Sequence, residues 1–295
     1  MTYTRTIAKL ENKHGEQIVL TASAAGNSDT GPVVSLSLFP RGVYDAIRNE
    51  YQGIKINSIK LGAAYVKMMA PEIDTVCGIC PLKTTKSAKK INQFGCYVQT
   101  VGQSASQPAS YCKNADDRID GMGWDLQGLA SVLDMSEATQ IRSMVAGDAG
   151  MMTREDWEIL EDFIRSNPKV IRDIVIQWAW LGYTHQPDAV WLQNTHQLST
   201  QSTKDNPYGQ ATRAIKNGWG VFHLLGKDVT ERPPDMALCH KQEKKSRGEK
   251  GTCSRCPIPC DGKGKRATAV INHGPGSSHA KKRVLAMWTG RKVAA

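Results

Sequence analysis

The sequence predicts an α/β protein: a βα-barrel-like body with a closed or partly open parallel sheet, a strand-rich N-terminal segment, and a C-terminal cysteine-rich metal module. Three observations carry this expectation. From about residue 120, strand and helix patterns alternate, with about 20 to 35 residues between strands. That rhythm is the mark of repeated βα units. Before residue 70 the composition is β-type and broken by turn residues. Near the end, four of the eight cysteines fall between Cys239 and Cys260. The expected organisation is therefore residues 1–70, 71–238 and 239–295, the last completing the barrel. A doubly wound open sheet is the alternative.

Each element has its own warrant. Thr4–Leu10, Gln17–Thr21 and Val33–Leu38 are strand-like, and His14-Gly15 and the stretch from Gly26 to Pro32 read as turns. Val43–Tyr51 suits a short helix. Trp124–Leu133 has helical spacing, with Leu126, Leu129, Ala130 and Leu133 on one face. Gln140–Ala146 reads as a strand stopping at Gly147-Asp148. Thr153 is a good N-cap for a helix reaching about Ser166, with acids in its first turn. Ile174–Tyr183 is a near-continuous apolar run, the pattern of a strand buried on both faces. Pro187–Gln193 suggests a short helix, Gln197–Ser202 a strand, Tyr208–Asn217 a helix closed by Gly218, and Val221–Leu225 and Thr268–Asn272 two further strands.

Composition narrows the class. With 40% hydrophobic and 22% charged residues, the chain has the make-up of a soluble globular protein. No apolar run approaches the length of about 20 residues that spans a bilayer. The stretch Met1–Lys9 is polar, unlike a signal peptide. A cytoplasmic setting without membrane contact is expected, the host cytoplasm if the chain is viral. Thiols stay reduced there, so paired cysteines read as metal or redox groups. The net charge is +10, and it is uneven. From Cys239 onward there are 14 Lys and Arg against 3 Asp and Glu, whereas the preceding residues carry 24 against 25. The tail is a basic module on a nearly neutral body. It suits phosphate or nucleic acid, or it is a solvated surface that offsets thiolates.

The cysteines hold the sharpest chemistry. Cys239, Cys253, Cys256 and Cys260 are spaced C-x13-C-x2-C-x3-C, a full set of thiolate ligands for one centre. A [4Fe–4S] cluster and a zinc ion both use such a set. The other four are Cys77, Cys80, Cys96 and Cys112. All four could bind a second metal, or Cys77, Cys80 and Cys96 could hold a cluster with one open iron while Cys112 is a buried thiol. A site shared between the two groups is a third arrangement. Asp148, His185 and His273 fall at expected strand ends, where a barrel gathers its catalytic groups. Ser199, Ser202 and His223 lie nearby in the pattern. For any single histidine, a hydrogen-bonded structural role is the plain alternative.

These motifs in this order resemble a family of bacteriophage proteins known as the gene product 88 family. The shared order is Cys77, Cys80 and Cys96-Tyr97, then Gly147-Asp148, Trp157, Tyr183-Thr184-His185, the C-terminal cysteines and Asn272-His273. The resemblance covers roughly residues 70 to 280. It implies a phage origin and a barrel similar to radical S-adenosylmethionine proteins, with S-adenosylmethionine as the cofactor to consider. The chain lacks the C-x3-C-x2-C motif of those enzymes. The leading expectation is an iron–sulfur enzyme, an oxidoreductase or radical-type enzyme acting on a small molecule. A zinc-stabilised nucleic-acid-binding protein is second. A hydrolase with a structural metal is third, without a G-x-S-x-G elbow to support it.

Overall fold

The computed structural model describes residues 3–27, 31–78, 103–202, 205–226, 229, 235–249, 256, 260, 267–271, 285–286 and 289. The chain divides into two compact units, Met1–Gly26 with Pro32–Trp178, and Asn27–Gly31 with Ala179–Ala295. The fold is mixed α/β with a parallel-containing sheet, as the sequence predicts at that level.

The first unit starts with the three expected strands, each longer than its sequence pattern: β1 (Tyr3–Glu11), β2 (Gln17–Asn27) and β3 (Gly31–Pro40). β1 and β2 pair antiparallel from Tyr3↔Ala24 to Glu11↔Gln17, with a register shift between Thr6 and Ala8. The turn between them forms because the Asn12 side-chain oxygen accepts the N–H groups of His14 and Glu16. Gly15 supplies the positive φ of 79° that this turn requires.

Three helices follow and pack on one another: α1 (Arg41–Tyr51), α2 (Ser58–Cys77, capped by Asn57) and α3 (Gln103–Asn114). β4 (Gly123–Trp124) then adds antiparallel to β1, and α4 (Leu126–Met135) packs on β1 from an Asp125 cap. β5 (Gln140–Arg142) lies parallel to β3, so within this unit the sheet runs β4-β1-β2-β3-β5.

The expected strand Gln140–Ala146 thus ends early. Met144 takes a φ of 51°, which breaks the extended path, although Leu38 N–H still reaches Ala146 O and Val145 N–H still reaches Leu36 O. α5 (Arg154–Ser166) begins where predicted, with Thr153 accepting the Asp156 N–H. β1 is buried from Thr4 to Leu10 although it carries Arg5 and Lys9. Arg5 pairs with Asp116 and Asp125, and Lys9 with Asp117, which neutralises both charges inside.

The expected continuous strand Ile174–Tyr183 is not one strand. Lys169–Ile171 and Ile174–Ile176 form a two-stranded hairpin, β6 and β7, turning at Arg172-Asp173. Val170, Ile174 and Val175 are exposed rather than buried. Trp178 then packs inward, its Nε1–H donating to Asn167 O, and β8 (Ala179–Leu181) and β9 (Tyr183–Thr184) follow as separate short strands. Apolar content alone cannot distinguish a buried strand from an apolar ribbon.

The second unit holds the parallel sheet. β10 (Gln197–Gln201), α6 (Gly209–Lys216) and β11 (Val221–Leu225) make one βαβ unit, with α6 packed on both strands. β12 (Ala237–Leu238), α7 (His240–Ser246) and β13 (Ala267–Ile271) complete it. The order is β9-β10-β11-β13-β12, with every pair parallel. Among the described residues this sheet is open, with β9 and β12 at its edges, and no closed barrel is present. The expected helix at Pro187–Gln193 shrinks to one 3-10 turn, Val190–Leu192. No described helix is long and apolar enough to cross a membrane.

Candidate metal centre

The parallel sheet brings several of the expected residues into definite positions. Tyr183 stacks on Phe222 with ring centroids 5.0 Å apart and meets the His185 ring edge-on at 6.3 Å. His185 therefore sits just past the end of β9, against the Tyr183 ring. The Thr184 hydroxyl accepts the Gln186 N–H and shapes that turn. Ser202, past the end of β10, accepts the Gly226 N–H through its hydroxyl oxygen and ties the ends of β10 and β11 together. His223 is fully buried on β11 opposite Thr200 of β10. Its Nε2 lies 2.8 Å from Pro207 O, and a carbonyl can only accept, so Nε2 carries the proton. Nδ1, 2.8 Å from the Thr200 hydroxyl, must then accept. Burial lowers the His223 pKa, and the Pro207 hydrogen bond opposes that shift. The ring is a neutral cross-strand pin.

The C-terminal cysteines divide. Cys239 leaves β12 with its N–H on Ala269 O, and its own carbonyl accepts the Glu243 N–H as α7 begins. Cys260 is held elsewhere: its carbonyl accepts the Gly182 N–H at 3.1 Å, immediately before β9. β9 and β12 are opposite edges of the five-stranded sheet, four strand steps apart, or about 19 Å along the sheet. Following the pairings Thr184↔Leu198↔Val221↔Ala267 and Ala237↔Thr268, Gly182 and Cys239 are also five residue levels apart along the strands. The ligands of one centre lie within a few ångströms of each other, about 2.3 Å from zinc in a thiolate site. Cys239 therefore does not meet Cys260 in this arrangement. Cys256 is half-buried, and Cys239, Cys256 and Cys260 are thiols rather than disulfides. Cys253 and His273 lie outside the described residues. Among the described residues no three His, Cys, Asp or Glu side chains gather as a metal site.

His196 is the group that sequence reading missed. It is fully buried, and its ring lies against Gly182, where a Cβ would stand 2.5 Å from Cδ2 and 2.6 Å from Nε2. Gly182 is thus a glycine because the imidazole occupies the space a side chain would need. The Thr195 hydroxyl donates to Leu192 O and lies 2.9 Å from His196 Nδ1. With its proton committed to that carbonyl, the hydroxyl oxygen accepts from Nδ1–H. Trp180 covers the ring at 6.3 Å. Gly182 therefore touches both His196 and the Cys260 backbone. No motif marks this histidine; the only sequence signal is its place just before a strand that runs beside β9.

The remaining expected residues belong to the first unit. Asp148 is buried, and its carboxylate accepts the Gly150 N–H, capping a 3-10 turn. Cys77 ends α2, buried. Cys112 is fully buried in α3, where burial pushes its thiol pKa well up and disfavours the thiolate a metal requires. Cys80 and Cys96 lie outside the described residues.

Comparison with known proteins adds no assignment. No family model matches the chain, and no curated protein or solved structure shows significant similarity to it. Any functional reading rests on the residues themselves.

Proposed function

We propose that the chain is an iron–sulfur protein of phage type, with enzymatic activity toward a small molecule. Its cluster would be carried by Cys253, Cys256 and Cys260 beside β9 of the partly open βα sheet. The observation that carries this reading is the anchoring of Cys260, the last cysteine of the C-x2-C-x3-C run, on Gly182 just before β9. The donor chemistry fits, since three thiolates within eight residues are soft ligands of the kind iron–sulfur clusters and zinc select. Cys239 does not fit the same set, because it stands at the opposite edge. A [4Fe–4S] cluster on three cysteines would supply redox or Lewis-acid chemistry at its open iron. The chain's own contribution is positional: Gly182 fixes the Cys260 backbone, and His196, covered by Trp180, packs against Gly182.

The test is anaerobic purification with iron, sulfide, zinc and visible absorption measured on one sample. Matching iron and sulfide with a brown chromophore are expected. Loss of both is expected in Cys256→Ser and Cys260→Ser, and retention in Cys239→Ser. A colourless protein with stoichiometric zinc would overturn the cluster.

A second reading has its own observation. Among the described residues, Asn206, Tyr208, Thr212, Arg213 and Lys216 line a shallow, open depression of about 430 Å³ beside α6, and none of them is a carboxylate. Together with the basic tail, this favours phosphate contacts in a zinc-stabilised nucleic-acid-binding protein. Salt-dependent retention of an oligonucleotide by the zinc form would support it.

A further inference from the structure

The β6–β7 hairpin breaks the usual rule for a solvated ribbon, in which one face is apolar and the other polar. Its pairs are Lys169↔Ile176, Val170↔Val175 and Ile171↔Ile174. Side chains alternate across a strand, so Val170 and Val175 share one face and Ile171 and Ile174 share the other. Their exposures are 60%, 62%, 37% and 64%. Both faces are therefore apolar and wet. The one basic residue within the strands does not guard the edge, because the Lys169 ammonium is committed to Leu133 O and Asp134 O at the hairpin base. Natural edge strands are usually protected by charge, proline or a bulge.

The two edges differ. Arg172 and Asp173 both have positive φ, 49° and 65°, so the loop is a two-residue type I′ turn. In such a hairpin the pair flanking the loop exchanges hydrogen bonds, and the next pair turns its N–H and C=O outward. Val170 and Val175 are that next pair. On the β6 edge, the following outward position is Pro168, which has no N–H. On the β7 edge, it is Gln177, which has one. β7 is the open edge.

We propose that β7 pairs antiparallel with β7 of a second copy of this chain, about a two-fold axis at Val175. An outward-facing residue placed opposite its own copy exchanges both backbone hydrogen bonds, which makes the contact self-complementary. In that register Ile174 stands opposite Ile176 of the second copy, and Asp173 opposite its Gln177. Apolar residues meet apolar ones, and the single carboxylate meets an amide donor rather than another acid. The product is a four-stranded sheet, β6-β7-β7-β6, closed after two copies because Pro168 bars both outer edges. The contact is small beside a standard interface of about 1,600 Å², so the dimer is concentration-dependent.

The symmetry supplies the test. Sedimentation velocity of the full chain over a wide concentration series should show a monomer–dimer equilibrium. Val175→Lys and Val175→Glu each place like charges opposite one another and should raise the dissociation constant about tenfold or more. Mixing the two variants should restore the dimer as a heterodimer, which no merely destabilising effect would do. Circular dichroism of each variant checks that the fold is kept, as expected for an exposed position. A wild-type chain that stays monomeric throughout, a dimer indifferent to both substitutions, or a mixture with no recovery would each overturn the proposal.

Discussion

Arg5 and Asp125 set a tight constraint at the scale of single residues. Their ion pair, 2.8 Å between Nη2 and Oδ2, lies against Gly128 in the first turn of α4. A Cβ at Gly128 would stand 2.3 Å from Asp125 Oδ2 and 2.5 Å from Arg5 Nε. Asp125 also accepts the Gly128 N–H as the helix cap. Gly128→Ala adds helix propensity of about 1 kcal/mol, but forces apart a largely buried pair whose disruption costs about 3 kcal/mol or more. The expected outcome is a net loss of about 2 kcal/mol in urea unfolding. A variant as stable as the parent would show that the pair relaxes without cost. Gly182 follows the same logic, since the imidazole of His196 rather than a turn excludes its side chain.

At the scale of elements, β10 and β11 are joined by more than their ladder. Thr200, His223 and Pro207 link the two strands and the loop before α6 through a neutral imidazole. Its folded pKa is lowered from 6.5 chiefly by burial. Below about pH 6.5 the unfolded ring takes up a proton that the folded ring resists, so the stability this ring confers is complete above that pH and is lost as pH falls. The urea midpoint should therefore decline from neutral pH toward pH 5 more steeply in the parent than in His223→Gln. Parallel declines would show that the ring does not contribute.

Elements also differ in how legible they are. Thr153 announces α5 because a cap is a local signal, and β11 announces itself through a short apolar run, whereas β10 is a polar stretch read as a strand. The hairpin is hidden. Arg172-Asp173 carries none of the glycine or asparagine that usually marks a type I′ turn, and the apolar run across Ile174–Tyr183 imitates a buried strand. β12, two residues long, has no sequence period at all. Cys239 looked like a partner of Cys260 because spacing measures distance along the chain, whereas sheet order places them at opposite edges. His196 was invisible for the converse reason: only the fold brings it against Gly182.

The whole molecule separates charge and chemistry between two parts of the chain. The expected thiolate run and the basic excess both fall in the second unit, whereas the first carries internally neutralised cations on β1 of its antiparallel β1–β2 pair. A structural metal contributes binding free energy to the fold that holds it. If the cluster rests on Cys253, Cys256 and Cys260, its removal releases Cys260 from Gly182 and loosens the β9 edge first. Hydrogen exchange on the anaerobic protein before and after chelation should then show protection lost at Gly182 and Gln197, whose N–H groups bond to Cys260 O and Gly182 O. The amides of β1 and β2 should keep their protection. Equal loss in both units would mean that the metal stabilises the chain as one cooperative block. No loss at Gly182 would mean that the run folds onto β9 without metal, and the thiolates would then have to be explained by chemistry rather than by structure.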